Sequence, residues 1–414
     1  MRRSLTCATL TISLLSACSM TVTPTATVAH PDTLLTVPVT AGTSDATLAQ
    51  QYGGTVEYRT ATFAVLSGAH ATPLAAASRR VEKNEQSVAI PQGATHSSGD
   101  KIWATGITTW ASGDKIWATS LYNFGQQTGN GWNGPLFTLF PQNSQEFVNL
   151  GVPQAQLSPN YQGSPVIAVI DGPMDTAHPA LADSMVNPAD WFDFASNDAQ
   201  PTTEPVTESS GAYGHATGVA GVALQIAPKS RIMPVQVLAP DGTGYLLDLV
   251  KGILWAVDHG ADVINLSVGT DLDSPSLRAA LEYAQRKGVD VAAAAGNSGS
   301  EDLDYPAAYL STTGAGVAVA SVNAQSQPSA FTSTSDTDLL FAPGESIRSL
   351  YPDGREASWT GTSFSTPMAA AALAMLRGQP GTQAARVNDL FTLGQTLDSA
   401  HPTWKKLNLF HLLD

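Results

Sequence analysis

Four polar residues stand at turning points in the apolar part of this chain. Asp171 closes the run VIAVI, His215 opens the stretch GHATGVAGVAL, Asn297 follows VAAAAG, and Ser363 lies in Gly361-Thr362-Ser363 at the head of a long apolar segment. A hydroxyl, an imidazole, a carboxylate and an amide are the groups that nucleophilic acyl transfer uses. Taken singly, each residue has a plainer reading: a strand-end turn for Asp171, a helix cap for His215, a turn former for Asn297 and an N-cap for Ser363. What distinguishes them is where the surrounding elements must carry them.

Those elements read as alternating strands and helices. The apolar runs Val166 to Ile170, Ile232 to Leu238, Val263 to Leu266, Val289 to Ala294 and Val317 to Val319 are separated by helical patterns. Leu246, Leu249, Val250, Ile253, Leu254 and Val257 recur at helical spacing. Continuous apolar strands between helices predict an α/β fold, a three-layer, doubly wound and mostly parallel sheet. Ligands of such sheets sit at the carboxyl ends of the strands, where Asp171 and Asn297 fall. A helix beginning at Ser363 places that residue in the positive field of the helix end, beside unpaired amides, with Pro367 expected inside the first turn.

Composition narrows the function classes. Only 13% of the residues are charged and the net charge is −15, which argues against nucleic acid as a partner. Both cysteines, Cys7 and Cys18, lie near the N-terminus, so the rest of the chain has neither a disulfide nor a thiolate metal site. Arg2-Arg3 followed by the apolar run Leu5 to Leu15 reads as an export signal over residues 1–17, too short to span a bilayer. Leu15-Ser16-Ala17-Cys18 resembles a bacterial lipobox, in which Cys18 is acylated and becomes the new N-terminus. An ordinary signal peptide with a stray cysteine, and a twin-arginine signal, are the alternatives.

Residues 18–31 read as a tether and 32–95 as a small α+β unit. Strands are expected at 33–39, 55–60, 62–66 and near 87–90, with helices from Thr43 to Tyr52 and over Pro73 to Arg80, a β-α-β-β-α-β order. So short a unit is marginal alone and needs a partner surface. Residues 96–136 carry SGDKIWAT twice, with Trp103, Trp110 and Trp117 seven apart. They read as a hairpin or meander, or alternatively as a stacking platform for carbohydrate or peptide. The remainder, 137–414, is the large α/β domain.

Over residues 137 to 377 the chain resembles the subtilisin-like serine proteases. The resemblance rests on VIAVIDG, DFASNDAQP, GHATGVAGV, APKSRIMPVQVL, GILWAVDHGADVINLSVG, AAAAGN, YPAAY, APG and GTSFSTPMAAA, which occur in the family's order. It implies an Asp171, His215, Ser363 triad with Asn297 as an oxyanion-hole side chain. By the same resemblance, Gly242-Thr243-Gly244 and Ser267-Val268-Gly269 are the edges between which an extended peptide adds as a strand. Asp304, just before the Tyr-Pro of YPAAY, would lie at the base of the pocket for the residue preceding the scissile bond and favour Lys or Arg there, with Glu301 and Asp302 adding to the field if they face inward. Residues 33 to about 92 resemble the inhibitory propeptide of such proteases, most closely in GTSDATLAQQYGGTVEYRTATFAVLSG.

Several positions depart from the family pattern. Gly172 replaces the usual Ser or Thr donor after the aspartate, and Asp175 is the runner-up carboxylate. The usual His-Gly-Thr-His becomes His215-Ala216-Thr217-Gly218. The calcium loop of many relatives is missing, because Val222 runs almost directly into Ala227-Pro228; no cofactor is implied, and structural calcium has no evident ligand run. The resulting expectation is an exported, lipid-anchored zymogen of a serine endopeptidase. Its partners would be protein or peptide substrates, its own propeptide and, through Cys18, the bacterial membrane; maturation would release it. Two other classes compete: a pseudoprotease that binds peptides without turnover, and an envelope lipoprotein whose tryptophan repeat binds glycan.

Overall fold

The computed structural model describes residues 31–69, 81–84, 88–89, 140–201 and 213–414. The signal and Cys18, the helix expected over 73–80 and the tryptophan repeat lie outside the described residues.

Within the N-terminal part, β1 (Thr33–Pro38), α1 (Asp45–Tyr52), β2 (Thr55–Arg59), β3 (Phe63–Ser67) and β4 (Val81–Lys83) build an antiparallel sheet of order β2-β3-β1-β4. Ser44 starts α1 by accepting from the Thr47 amide at 3.1 Å, and Gly53, with φ 74°, ends it. The fourth strand of this sheet is β4, not the segment near 87–90. Instead β5 (Val88–Ala89) leaves the unit and pairs elsewhere. Side chains alternate across β1 and β3: Leu35, Val37, Ala64 and Leu66 form a core with Leu48 and Tyr52 of α1, while Leu34, Phe63 and Val65 join the core of the large domain. A two-faced sheet of this kind is complete only when docked.

The large domain begins with α2 (Ser144–Leu150), α3 (Val152–Leu157), β6 (Val166–Asp171), β7 (Phe192–Asp193), α4 (His215–Ile226), β8 (Arg231–Gln236) and β9 (Thr243–Gly244). It continues through α5 (Leu246–Asp258), β10 (Val263–Leu266), α6 (Pro275–Arg286), β11 (Asp290–Ala294), α7 (Ala307–Thr313), β12 (Val317–Val322) and β13 (Leu339–Pro343). The hairpin β14 (Ile347–Tyr351) and β15 (Arg355–Trp359), then α8 (Thr362–Leu376), α9 (Gln383–Leu393), β16 (Gln395–Thr396) and β17 (Trp404–Lys406), complete it.

Nine strands form one sheet in the order β16-β17-β13-β12-β11-β10-β6-β8-β7, parallel except for the terminal β16–β17 pair. Its strands read as unbroken apolar runs because both faces are covered. Ile167, Val169, Val263, Ala292 and Val317 face one core with residues of α4 and α8. Their neighbours Ala168, Ile170, Ile264, Val291 and Ala318 face the other, with α5, α6 and α7. This is a mixed parallel and antiparallel sheet with flanking helices, as the apolar runs predict. Helix α8 is buried along its whole length.

The N-terminal unit sits on α5 and α6. Asn84 Oδ1 accepts from the Leu247 amide at 3.0 Å, and Glu82 accepts from the Ser276 amide at 3.0 Å and from the Ser276 hydroxyl. These are first-turn donors that the helices cannot satisfy internally. Tyr58 donates to Asp258 at 2.7 Å, and the Phe63 ring meets Tyr283 edge-on at 6.0 Å.

Candidate active site

Asp171 ends β6, where the last strand residue can turn its side chain off the sheet while its backbone stays in register with Gln236. Its carbonyl holds the Val237 amide at 2.8 Å. The carboxylate takes the Gly172 amide on Oδ1 at 2.6 Å, a backbone donor at the position where the family's side-chain donor is missing. His215 Nδ1 lies 2.8 Å from Oδ1 and 3.0 Å from Oδ2. The first residue of α4 can reach this point because Gly214 turns the chain with φ 78°. A Cβ at Gly214 would stand 2.7 Å from Pro352. The imidazole is flanked by Phe364, ring centroids 5.3 Å apart, and by Trp359 at 6.4 Å, both edge-on.

The departure at Gly218 has a packing reason. A Cβ there would stand 2.7 Å from Cε2 of Trp359, so the indole occupies the space a side chain at 218 would need. Trp359 stacks on Phe364 at 4.8 Å and is wholly buried. This aromatic pair beside His215 is a feature that periodicity does not disclose; the local signal was a tryptophan and a phenylalanine bracketing the GTS turn.

Ser363 is the second residue of α8, after Gly361 with φ 146°. Asn297 Oδ1 accepts from the Thr362 amide at 2.9 Å and the Thr362 hydroxyl at 2.8 Å. With Oδ1 committed, the amide group must point the other way. A Cβ at Gly361 would stand 3.2 Å from Asn297 Nδ2 and 3.8 Å from the Ser363 nitrogen. Two N–H donors therefore border the small space that the missing side chain leaves.

Pro367 lies in the second turn of α8, further in than expected. It cannot donate to the Ser363 carbonyl four residues back. Ser267 Oγ donates to that carbonyl instead, at 2.8 Å. In return Ser363 Oγ donates to the Ser267 carbonyl at 3.3 Å. The Ser363 hydroxyl is thus turned to Ser267 and not to His215, whose Nε2 is buried with no hydrogen-bond partner among the described residues. Asp171 and His215 are 0% exposed, Ser363 1% and Asn297 4%.

Both proposed peptide edges lie beside this cluster. Thr243 and Gly244 of β9 pair antiparallel with Ala89 and Val88 of β5. On the other side, the Ala89 amide donates to the Gly269 carbonyl at 2.9 Å and the Gly269 amide to the Ala89 carbonyl at 2.8 Å. Two residues of the N-terminal part are therefore laid as an extra strand between 242–244 and 267–269. Gly244 is required at its position, since a Cβ would come within 2.4 Å of the Val237 carbonyl. Val268 is buried in the sheet's core, and Gly242 makes the turn before β9 with φ 87°.

Asp304 lies against side-chain-free backbone. A Cβ at Gly269 would stand 2.9 Å from Asp304 Cβ, and one at Gly296 2.9 Å from its Oδ2. Burial, and then the neighbouring Asp271 carboxylate, push its pKa up to about 6. Glu301 and Asp302 are exposed. The runner-up, Asp175, is engaged elsewhere: its Oδ2 accepts from the Asp353 amide at 2.9 Å. Helix α4 runs to Ile226 without an inserted loop, and no group of three His, Cys, Asp or Glu is arranged to hold a metal ion among the described residues.

Comparison with known proteins agrees with this architecture. Residues 162–392 match the model of the subtilase family, Peptidase_S8. The chain is 36% identical over 238 residues to subtilisin of Bacillus pumilus, covering 56% of this chain and 84% of that protein. It is also 36% identical to subtilisin E of Bacillus subtilis (strain 168), spanning 61% of that protein's length. The crystal structure of a cold adapted subtilisin-like serine proteinase superposes with a TM-score of 0.51 at 30% identity, covering 61% of this chain and 91% of that one. With a buried histidine–aspartate pair at the carboxyl end of a parallel sheet and a family match over more than half its length, this chain belongs to the subtilase family of serine endopeptidases.

Proposed function

We propose that peptide bonds are hydrolysed through an acyl-enzyme on Ser363, with His215 as base, Asp171 as its orienting carboxylate and Asn297 as an oxyanion donor. The observation that carries this is the buried Asp171–His215 contact at 2.8 Å beside a serine at a helix N-terminus. Ser363 Oγ attacks the carbonyl carbon as its proton passes to His215 Nε2. The tetrahedral oxyanion is held by Asn297 Nδ2 and the Ser363 amide. Collapse breaks the C–N bond, His215 gives its proton to the leaving amine, and water hydrolyses the ester by the reverse route. Asp171 keeps Nδ1 protonated, so that Nε2 is the basic nitrogen. A fluorophosphonate tests this: mass added on Ser363, and none in Ser363→Ala, is expected, and an unlabelled wild type refutes it.

The chain as it stands is a zymogen in this reading. The N-terminal unit caps α5 and α6 and lays β5 across both peptide edges, and the four polar residues of the site are covered. Export and lipid attachment at Cys18 rest on the sequence of residues 1–18. A cut between about residues 91 and 150 separates that anchor from the catalytic domain. Detergent-phase partitioning of wild type and Ser363→Ala tests the release; active wild type that stays in the detergent phase as fully as the mutant overturns it.

Asp304 sets a preference for Lys or Arg before the scissile bond. It also lines a cleft of about 600 Å³ with Asp271, Glu301 and Asp302, and no cation is among the lining residues. A cationic side chain there gains charge-assisted hydrogen bonds, while a large apolar one must desolvate the carboxylate.

A further inference from the structure

Strand β10 carries a polar side chain into the apolar middle of the sheet. Asn265 is wholly buried, and its partners across the parallel ladders are Val169 of β6 and Ala292 of β11. Both belong to the apolar layer that packs against α4 and α8. The Asn265 amide oxygen, Oδ1, has no hydrogen-bond partner among the described residues. An unpaired acceptor in a core is destabilising, and an apolar side chain would avoid that cost. Stability alone therefore does not account for an amide here.

The nitrogen end of the amide points to a use. Asn265 Nδ2 donates to Ser267 Oγ at 3.0 Å, and Ser267 Oγ donates to the Ser363 carbonyl at 2.8 Å. A serine hydroxyl has a single proton. With that proton on the Ser363 carbonyl, Ser267 Oγ turns lone pairs toward Asn265, and the group that meets them must be a donor. An amide supplies one; an aliphatic chain does not. Asn265 thus holds the Ser267 hydroxyl in the rotation that reaches α8, and without it the hydroxyl is free to turn.

That rotation matters because of Pro367. The Ser363 carbonyl lacks the N–H that a helix would offer it from four residues on, and the Ser267 hydroxyl takes its place from a neighbouring strand. Asn265 and Ser267 are 0% exposed and Ser363 1%, so bulk water does not compete for these groups. The Ser363 hydroxyl itself has only a long contact, 3.3 Å to the Ser267 carbonyl. Where it stands relative to His215 is set by the backbone that carries it.

We infer that Asn265 is a positioning residue for the nucleophile: through the Ser267 hydroxyl it fixes the backbone of Ser363, and with it the point from which Ser363 Oγ reaches His215 and the substrate carbonyl. Asn265 acts at one remove, two hydrogen bonds from the Ser363 backbone.

The inference rests on the reading of Ser363 as nucleophile, and the test separates the two. Wild type, Asn265→Leu and Asn265→Ala are made as the full chain, alone and combined with Ser267→Ala or Ser267→Cys. Each is titrated with a fluorophosphonate, so that rates on one fluorogenic peptide are counted per reactive site and unfolded protein does not enter. Asn265→Leu and Asn265→Ala should lower kcat by about 10–100-fold, the cost of a small misplacement of a reacting group. KM should stay nearly unchanged, because the peptide edges are untouched. The denaturant midpoint of Asn265→Leu should not fall, since the unpaired Oδ1 goes with the amide. In both Ser267 backgrounds Asn265→Leu should cost less than about a further twofold, because the hydroxyl through which it acts is gone. Wild-type kcat in the Asn265 variants overturns the inference. So does a loss of the same size in the Ser267 backgrounds as in wild type, which would mark a packing role independent of Ser267, or a rise in KM in place of the fall in kcat. A wild type that takes up no fluorophosphonate instead removes Ser363 as nucleophile, and this role of Asn265 with it.

Discussion

Asp304 makes a prediction in which pH and mutation check each other. A Lys or Arg charge about 4 Å from an ionised Asp304 gains ~4 kcal/mol at an effective dielectric of ~20. Part of that is lost in desolvating both groups, and a hydrogen bond to a charged group nets ~1.5–3 kcal/mol. The expected preference for Arg over Leu before the scissile bond is therefore ~10–150-fold in kcat/KM. Only the ionised carboxylate supplies it, and the pKa is pushed up to about 6 by burial and by Asp271. The preference should be full above pH 7 and fall as pH drops through 6, to about a tenth of its value one unit lower. Any group that acts alike on both substrates cancels in the ratio of their kcat/KM values. The assay compares peptides with Arg, Lys, Phe or Leu at that position from pH 5 to 9, in wild type and Asp304→Ser. A wild type that cuts after Phe or Leu at least as well as after Arg, a ratio flat with pH, or a ratio unchanged in Asp304→Ser would refute the reasoning.

Asn297→Ala should lower kcat by about 10²–10³ with little change in KM, the loss that removal of such a donor causes in a subtilisin; unchanged kinetics would remove Asn297 from the oxyanion hole. Ser267→Ala leaves the Ser363 carbonyl without the donor that replaces Pro367's missing N–H, and should cost about 1–3 kcal/mol of stability in denaturant unfolding; an unchanged midpoint would show that water or a neighbour takes over. Gly218→His restores the family residue but drives a side chain into an indole 2.7 Å from its Cβ, so a large loss of stability is expected, relieved when Trp359→Ala is added. Asp248, whose pKa burial pushes up to about 7, is ionised in the unfolded chain but protonated in the folded one between about pH 4 and 7, so it erodes stability as pH rises. Asp248→Asn should thus raise Tm at pH 8 and leave it nearly unchanged at pH 4, and equal shifts at both pH values would contradict this.

Much of this protein is local information and was readable in the chain. Apolar runs such as Val166 to Ile170 are unbroken because a strand covered on both faces has no polar side to show. Asp171, His215, Asn297 and Ser363 stand out because each interrupts an apolar pattern where an element begins or ends. The helical spacing from Leu246 to Val257 and the Ser44 cap follow from one turn of backbone. What tertiary structure alone decided are the contacts between residues far apart in sequence. Asp171 meets His215 across 44 positions and Ser267 holds Ser363 across 96, distances over which periodicity carries no signal. Gly218 is only a departure from a motif in the sequence; its reason, Trp359 filling the space a side chain would need, comes from a residue 141 positions away. Pro367 lies a turn deeper in its helix than the local pattern suggests, because the partner that tolerates it, the Ser267 hydroxyl, comes from another element. The strand expected near 87–90 pairs away from its own unit for the same reason: β-pairing is satisfied by whichever edge is free, and for Val88 and Ala89 that edge is formed by Thr243, Gly244 and Gly269.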